Sequence, residues 1–538
     1  MDHRAGPCRH RDRGVVGAVT RATRFSGIAL YLVLTGAALS PLLWVSVPPL
    51  VDYPNQLAHM WILLHGHDIP ALAQNYVVHW RLLPYLAMDL TVPALGSFMP
   101  IEMAGRIFVG GTMLSLVLGT VALHKALFGR IGLWPLCSLL FLYNAVLFWG
   151  LMNCLFGIGM FLLAFSAWIA TARWRFAPRI LVFAAVASVL LILHLFAFGL
   201  YGLAVAAYEL GILLERRGNL GRRLLVFGAV GMQFIPGMVL WFLSLANAGS
   251  TYTSYGDLGA KLYALVAPTT FGFGPTSYEM ILWLASLGFV AAASVGGWLK
   301  LHPRMRLPVA VMIVAAVLMP NWLSGSWLAD IRLPATLPFL LIGATRLSLP
   351  ADRRGIALCA GAAVVLLCLR LWGITVLWQD GDRRFAEFRE ADAAIAPGSR
   401  LLTVFPKFVD YGGKLEGVPE FLATRQAMAM AHMPALAVID RSVYIADMFF
   451  EWMTVGPAPR NAGIYKKKDE MATPQALVAT ADSNRVAASE DAPYWSDWPN
   501  TFDYVLWIDY GSTPTEIPSQ LAPVATGSFF HIYRVVRK

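Results

Sequence analysis

Charge is scarce in this sequence. Of its 538 residues only 14% are Asp, Glu, Lys or Arg, while 57% are hydrophobic, and the mean hydropathy is +0.59. A water-soluble globular chain is thereby excluded. Cysteine is rare as well: Cys8, Cys137, Cys154, Cys359 and Cys368 form no CxxC pair, and none follows Gln379. Neither a disulfide framework nor a zinc site is supported, and the tail can face an oxidising compartment without bridges. The apolar runs lack two-residue alternation, which excludes a membrane barrel. No P-loop or GxGxxG precedes a helix in the right context, so a soluble nucleotide donor has no visible site. No internal repeat supports an inverted-repeat transporter. The net charge of +10 is no sign of nucleic acid, because most of the excess sits in short loops between apolar runs, where it reports orientation.

What the sequence does have is apolar runs of about 17 to 22 residues, the length that crosses a hydrocarbon core of about 30 Å as helix. The first, Ile28–Val47, follows a basic segment (residues 1–26, with Arg4, Arg9, Arg11, Arg13, Arg21 and Arg24) and ends in Pro48-Pro49. That pair is not a small-residue cleavage site, so the run reads as an uncleaved first helix with its N-terminus inside. Basic clusters follow at Lys125/Arg130, Arg173/Arg175/Arg179, Arg216/Arg217/Arg222/Arg223, Lys300/Arg304/Arg306 and Arg346/Arg353/Arg354. The stretches between them, about 35 to 40 residues or more, suit hairpins of two helices at about 1.5 Å per residue. All five clusters then share one face. If Leu82–Met99, which carries Pro84, Asp89 and Pro93, does not span, that face is the cytoplasm; if it spans, every cluster lies outside, against the positive-inside rule. The expected fold is therefore a polytopic α-helical membrane protein of about eleven transmembrane helices, residues 27–379. Its first outer loop, 48–104, holds Leu82–Met99 as a surface or re-entrant helix. The hairpin tips Trp149–Asn153, His194–Gly199, Asn247–Tyr278 and Ser324–Arg332 face outward with it.

From about Asp380 the composition becomes that of a soluble domain. Arg400–Phe405, Tyr504–Asp509 and Phe529–Val536 read as strands, Phe385–Ile395 as a joining helix, and Lys466–Glu470 and Thr480–Ala492 as loops. Residues 380–538 are expected to form an outer, periplasmic α/β domain on a bacterial inner membrane.

The stretch Val51-Asp52-Tyr53-Pro54-Asn55-Gln56-Leu57-Ala58-His59-Met60-Trp61 carries the strongest chemical signal. Leu57, Trp61 and Leu64 recur at helical spacing, which suggests an amphipathic helix on the membrane surface with Asp52, Asn55 and His59 on one side. Asp52 reads either as a helix cap or as a catalytic carboxylate just outside the first span. At the last outer tip, Trp327-Leu328-Ala329-Asp330-Ile331-Arg332-Leu333-Pro334 offers Arg332 to phosphate oxygens with Asp330 to orient it, or else an Asp330–Arg332 ion pair or interfacial anchor. His194, between Leu193 and Leu195, reads as a phosphate contact or as a histidine satisfied by the backbone. Lys261, amid Tyr252, Tyr255 and Tyr263, belongs to a sugar-binding surface or to an aromatic belt. Glu102 and Arg106, one turn apart, are expected to pair. His65-Gly66-His67-Asp68 is a weak metal signal.

This layout resembles the C-type (GT-C) superfamily of integral-membrane glycosyltransferases. The resemblance implies an acid in the first outer loop, here Asp52, flanked by juxtamembrane helices near Asn55–Leu64 and Leu82–Met99. That acid acts as catalytic base or metal-contacting carboxylate. It also implies a polyprenyl-phosphate sugar donor and a soluble domain after the last span. Arg332 answers to an R-x-x-P-type segment, with proline at 334 and 338. Related bacterial sequences read D-x-P-N-H-L-A-R, whereas this chain has Gln56 and His59 at the His and Arg positions. The partners expected are the polyprenyl-phosphate sugar and membrane lipids, with no nucleic acid. No cofactor is required by the sequence, although a divalent metal remains open. The acceptor is an envelope glycan, lipid or protein. Two other readings stand beside this one: a lipid or sugar transporter, disfavoured by spans nearly free of ionisable residues, and a non-catalytic membrane scaffold.

Overall fold

The computed structural model describes residues 27–245, 252–272, 274–349, 353–407, 427–450, 453–465, 471–481, 492–510 and 516–537. The basic segment 1–26, the loop Lys466–Glu470 and most of Thr480–Ala492 lie outside them. The chain folds as a polytopic helical bundle followed by a C-terminal α/β domain.

The first helix, α1 (Gly27–Leu43), is shorter than its apolar run, because Pro41 lacks an amide proton and the last turn tightens to a 3-10 geometry over Ser40–Leu43. The segment 48–100 then builds α2 (Tyr53–His65), α3 (Pro70–Asn75), β1 (Tyr76–Val78) and α4 (Ala87–Gly96). At ten residues, with Pro93 inside it, α4 is too short to cross a bilayer. The return helix α5 (Ile101–Phe128) packs hardest on the helix Met152–Ala170, and an added Cβ on Gly159 of that partner would come within 2.7 Å of Ser115 Cβ. Small residues thus let these two backbones approach closely.

The first expected hairpin departs from two plain helices. Its leading leg is a 3-10 segment, Trp134–Phe141, followed by the single turn α6 (Ala145–Phe148). Pro135 opens the segment, and Asn144 breaks it: its Nδ2 donates to Phe141 O at 2.9 Å while its Oδ1 caps Leu147 N at 3.1 Å. The irregular backbone is tolerated because Phe141–Trp149 is wholly buried in protein. The chain continues through α7 (Met152–Ala170), α8 (Phe176–Leu193), α9 (Leu195–Glu215), α10 (Leu220–Gly231), α11 (Ile235–Leu245), α12 (Leu258–Val266) and α13 (Ser277–Val295). β2 (Leu299–Leu301), α14 (Arg306–Leu318), α15 (Ala329–Ala344), β3 (Thr345–Leu347) and α16 (Arg353–Ala391) complete the bundle, with β2 and β3 antiparallel. Among the described residues seven helical segments are long and apolar enough to cross a membrane. The other expected crossings are α1, the broken leg, the 13-residue α14 and the 16-residue α15, which carries Pro334 and Pro338.

α16 corrects one expectation. Span and joining helix are a single 39-residue rod, about 58 Å long, that carries the chain into the C-terminal domain without a break. There β4 (Arg400–Val404), α17 (Ala427–His432), α18 (Leu436–Arg441), β5 (Tyr444–Ile445), β6 (Val455–Pro457), β7 (Tyr504–Ile508), β8 (Leu521–Thr526) and β9 (Phe530–Val535) follow. The sheet order is β5-β4-β7-β9-β8, parallel across the first three strands and antiparallel beyond. β6 leaves this sheet and pairs antiparallel with β1, Tyr76 opposite Pro457, so the segment after the first helix and the C-terminal domain share a ribbon.

That docking corrects two further expectations. α2 is not a surface-lying amphipathic helix: nine of its thirteen residues are buried, since α17 and α18 cover the face that would meet water. Glu102 and Arg106 do not pair either. Glu102 accepts from Arg389 at 2.9 Å, Arg389 is also bonded to Asp440, and Arg106 donates to Val45 O at 2.9 Å. Burial beside a distant partner outweighed the local pairing.

Candidate active site

Asp52 occupies the N-cap position of α2, yet its side chain makes no capping bond to that helix. Its backbone is pinned from the opposite side. The amide donates to Trp149 O at 3.3 Å, and Gln56 Nε2 donates to Gly150 O at 2.7 Å. Gly150 has φ +75°, and a Cβ there would lie 2.9 Å from Asp52 N. Both the dihedral and the contact demand glycine.

The Asp52 carboxylate faces the C-terminal domain, with Oδ1 3.8 Å from His432 Nε2 and the side chain 22% exposed. Asn55 Nδ2 contacts His432 Nδ1 at 3.3 Å and donates to Asp447 O at 3.1 Å. A carbonyl only accepts, so this amide nitrogen is fixed as a donor and Nδ1 of the neutral imidazole accepts from it. The ring proton therefore sits on Nε2 and points toward Asp52. Behind this layer Tyr494 donates to Asp447 Oδ1 at 2.5 Å, and burial, with the Asp447 charge, holds its hydroxyl protonated well above the usual tyrosine range.

His59 lies one turn further along the same face. Its Nε2 meets Thr454 Oγ1 at 2.7 Å and lies 3.6 Å from Asp89 Oδ2, to which Thr454 donates at 3.0 Å. Asn55 and His59 are thus committed to holding α2, α4 and the C-terminal domain together.

The second group gathers beyond the Trp149-Gly150 turn. The Trp149 ring lies 5.1 Å from Trp327, whose carbonyl accepts from Arg332 Nη2 at 3.1 Å; the same nitrogen donates to Ser326 Oγ at 2.7 Å. Arg332 Nε is buried with no partner among the described residues. The loop that leads here is strained: Leu328, immediately before α15, has φ +56°. Asp330 does not orient Arg332. It accepts from Asn321 Nδ2 at 3.0 Å and lies 3.8 Å from Lys261 Nζ, which also donates to Met319 O. Two residues apart on a helix, Asp330 and Arg332 point to different sides. His194 caps α9, its Nδ1 accepting from Phe196 N at 3.0 Å, which is the backbone-satisfied arrangement for that nitrogen. It still lies near enough for Arg332 to act on it electrostatically, as does Cys154. Trp149 Nε1 donates to Tyr263 Oη at 2.8 Å, and Trp322 stacks on Trp327 at 6.1 Å, so a chain of aromatic rings connects the Trp149 turn to the Arg332 loop.

Arg332 is thus linked through Trp327 and Trp149 to the turn that seats Asp52, with His194 within its electrostatic reach; Lys261 and Asp330 face each other on another side of α15, while Asn55 and His59 turn toward the C-terminal domain. Sequence reasoning missed His432, Gly150, Asn321 and Trp327. Among the described residues no three His, Cys, Asp or Glu side chains gather to hold a metal, the His65–Asp68 cluster included.

No family model matches the chain, and no curated protein does. Among solved structures it is similar to ArnT from Cupriavidus metallidurans bound to undecaprenyl phosphate, at 12% identity over 95% of this chain and 98% of that one, with a TM-score of 0.48. It is also similar to a mutant of the arabinofuranosyltransferase AftD from Mycobacteria, at 14% identity over 94% of this chain and 41% of that one, TM-score 0.48. The likeness runs along nearly the whole chain.

Proposed function

We propose that this protein is a C-type membrane glycosyltransferase acting on the outer face of a bacterial inner membrane, with its N-terminus cytoplasmic and its C-terminal domain periplasmic. It transfers a sugar from a polyprenyl-phosphate carrier to an envelope glycan, lipid or protein. The observation that carries this reading is the placement of Asp52: a carboxylate just outside the first span, turned from its own helix toward a histidine N–H. In the proposed step Asp52 takes the proton of the acceptor hydroxyl as that oxygen bonds to the anomeric carbon from the face opposite the phosphate. The carbon–oxygen bond to phosphate breaks, its electron pair leaves with the phosphate, and the Arg332 guanidinium meets that charge. No step is routed through a metal.

The test compares envelope lipids and glycans from null cells with and without the wild-type chain. One sugar-bearing species is expected to vanish in the null and return on complementation, its missing mass naming the sugar. Identical profiles would overturn the proposal in favour of a scaffold.

Two substitutions probe the geometry by the same product. Gly150→Ala forces a Cβ onto the Asp52 backbone and is expected to cut product about tenfold, within the roughly 10²-fold that a misplacement of about 1 Å can cost. His432→Phe keeps the ring contact to Phe449 but loses the N–H toward Asp52, whereas His432→Gln places an amide nitrogen close to the Nε2 position. Loss with Phe and recovery with Gln mark His432 as the residue that positions Asp52. Equal product from both, at matched membrane levels, would reduce it to packing.

A further inference from the structure

We propose a second binding site, on the membrane face opposite Asp52, for the phosphodiester headgroup of an anionic phospholipid. α9 starts at the Arg332 side and runs 21 residues, about 31 Å, to the other face. There its end and the start of α10 enclose a cavity of about 270 Å³. Arg216, just past α9, and Arg222 and Arg223, in the first turn of α10, line it, while Ile212, Val226 and Phe227 supply an apolar wall.

The charge in this cavity is not balanced from within. Among the described lining residues Glu209 is the one carboxylate, and its Oε1 already accepts the Trp168 indole N–H at 2.9 Å. Glu209 also faces Arg179 and Arg304, and Glu215 faces Arg304. The lining therefore carries three arginines against one glutamate, an excess of two positive charges, and that glutamate is shared with Arg179 and Arg304. Arg216, Arg222 and Arg223 form no ion pair among the described residues, and Arg223 Nε is buried without a hydrogen-bond partner.

Orientation by the positive-inside rule needs only basic residues somewhere in the loop. It does not need three arginines lining one cavity beside an apolar wall. Phosphate is the anion that guanidinium forks bind in pairs of parallel hydrogen bonds. The lipid form is favoured over free phosphate by the neighbouring side chains. Leu214, Leu224 and Leu225 stand 67%, 51% and 75% exposed beside the arginines, where acyl chains would cover them. The site then lies at headgroup depth in the leaflet whose anionic lipids attract basic segments.

The experiment uses the full-length protein in a neutral detergent, with the thermal unfolding midpoint and native mass spectrometry as readouts. The probes are dioleoylphosphatidylglycerol, dioleoylphosphatidylcholine and inorganic phosphate. Phosphatidylglycerol is expected to raise the midpoint and stay bound as a single adduct, with no response to the other two. The combined Arg216→Gln, Arg222→Gln and Arg223→Gln variant is expected to weaken phosphatidylglycerol binding by about tenfold or more. Val226→Trp, which fills the cavity and leaves the charge unchanged, is expected to do the same and stands in if the triple variant fails to fold. Arg173→Gln with Arg175→Gln, in the exposed turn between α7 and α8, is expected to keep the full response. An equal response to phosphatidylcholine or to inorganic phosphate would overturn the proposal. So would an unchanged response in Val226→Trp, or an equal loss in the Arg173/Arg175 variant.

Discussion

Asp52→Asn is expected to leave the protein in the membrane at normal levels and to lower the sugar-bearing product by about 10²- to 10⁴-fold, the range for loss of a positioned general base. The substitution is chosen for what it preserves. Asparagine caps a helix as well as aspartate does, so a role as N-cap would survive it intact. The main-chain bonds that seat the residue, from its amide to Trp149 O and from Gln56 N to its carbonyl, do not involve the side chain. The amide oxygen can also still face the His432 N–H. Only the capacity to take a proton is removed. The measurement is the mass profile of envelope lipids and glycans in null cells carrying either form at matched abundance. Wild-type product from the variant would exclude Asp52 as the base and return the chain to the scaffold reading.

Asp52 was legible because its signal is local: a carboxylate between a span's terminal prolines and a helical run. Its setting was not. The Asn55–His432 contact spans 377 residues, and His432 sits in an apolar stretch, Ala427-Met428-Ala429-Met430-Ala431-His432, with no motif around it. No spacing rule reaches that far. Strands β4 and β7 were legible as unbroken apolar runs because the sheet is covered on both faces. β8 was not, since Leu521–Thr526 is half-exposed and carries Pro523, where the pairing with β9 shifts register. The broken leg 134–148 reads as a span by hydropathy alone, because composition does not separate a 3-10 segment from an α-helix. Its departures lay in Pro135 and Asn144, single residues whose effect depends on the tertiary burial that satisfies the interrupted backbone. Glu102 and Arg106 had the right spacing to pair, but Arg389 of α16 and the Val45 carbonyl gave them other partners.

Arg332→Lys is the second large effect, and it separates a phosphate contact from a membrane anchor. An anchoring role would survive the change, since lysine also lays its stem along apolar surface and carries its charge to the interface. The observed geometry needs the fork. Nη2 is occupied by Ser326 Oγ and Trp327 O, which fixes the guanidinium plane, and the buried Nε has no partner among the described residues. Such an edge holds a phosphate oxygen at low reorganisation cost, because the arginine is already positioned before charge develops on the leaving group. A lysine ammonium offers a point charge on a flexible stem, and its single nitrogen cannot occupy both the Nη2 and the Nε positions. The expected fall in product formation is about 10²- to 10³-fold, comparable to removal of one transition-state donor elsewhere. Initial rates in membranes from matched cells measure it, with Arg332→Met as the charge-free comparison. Lys at wild-type rate would assign Arg332 to the interface. Lys falling close to Met would mean that the fork, and not the positive charge alone, meets the departing phosphate.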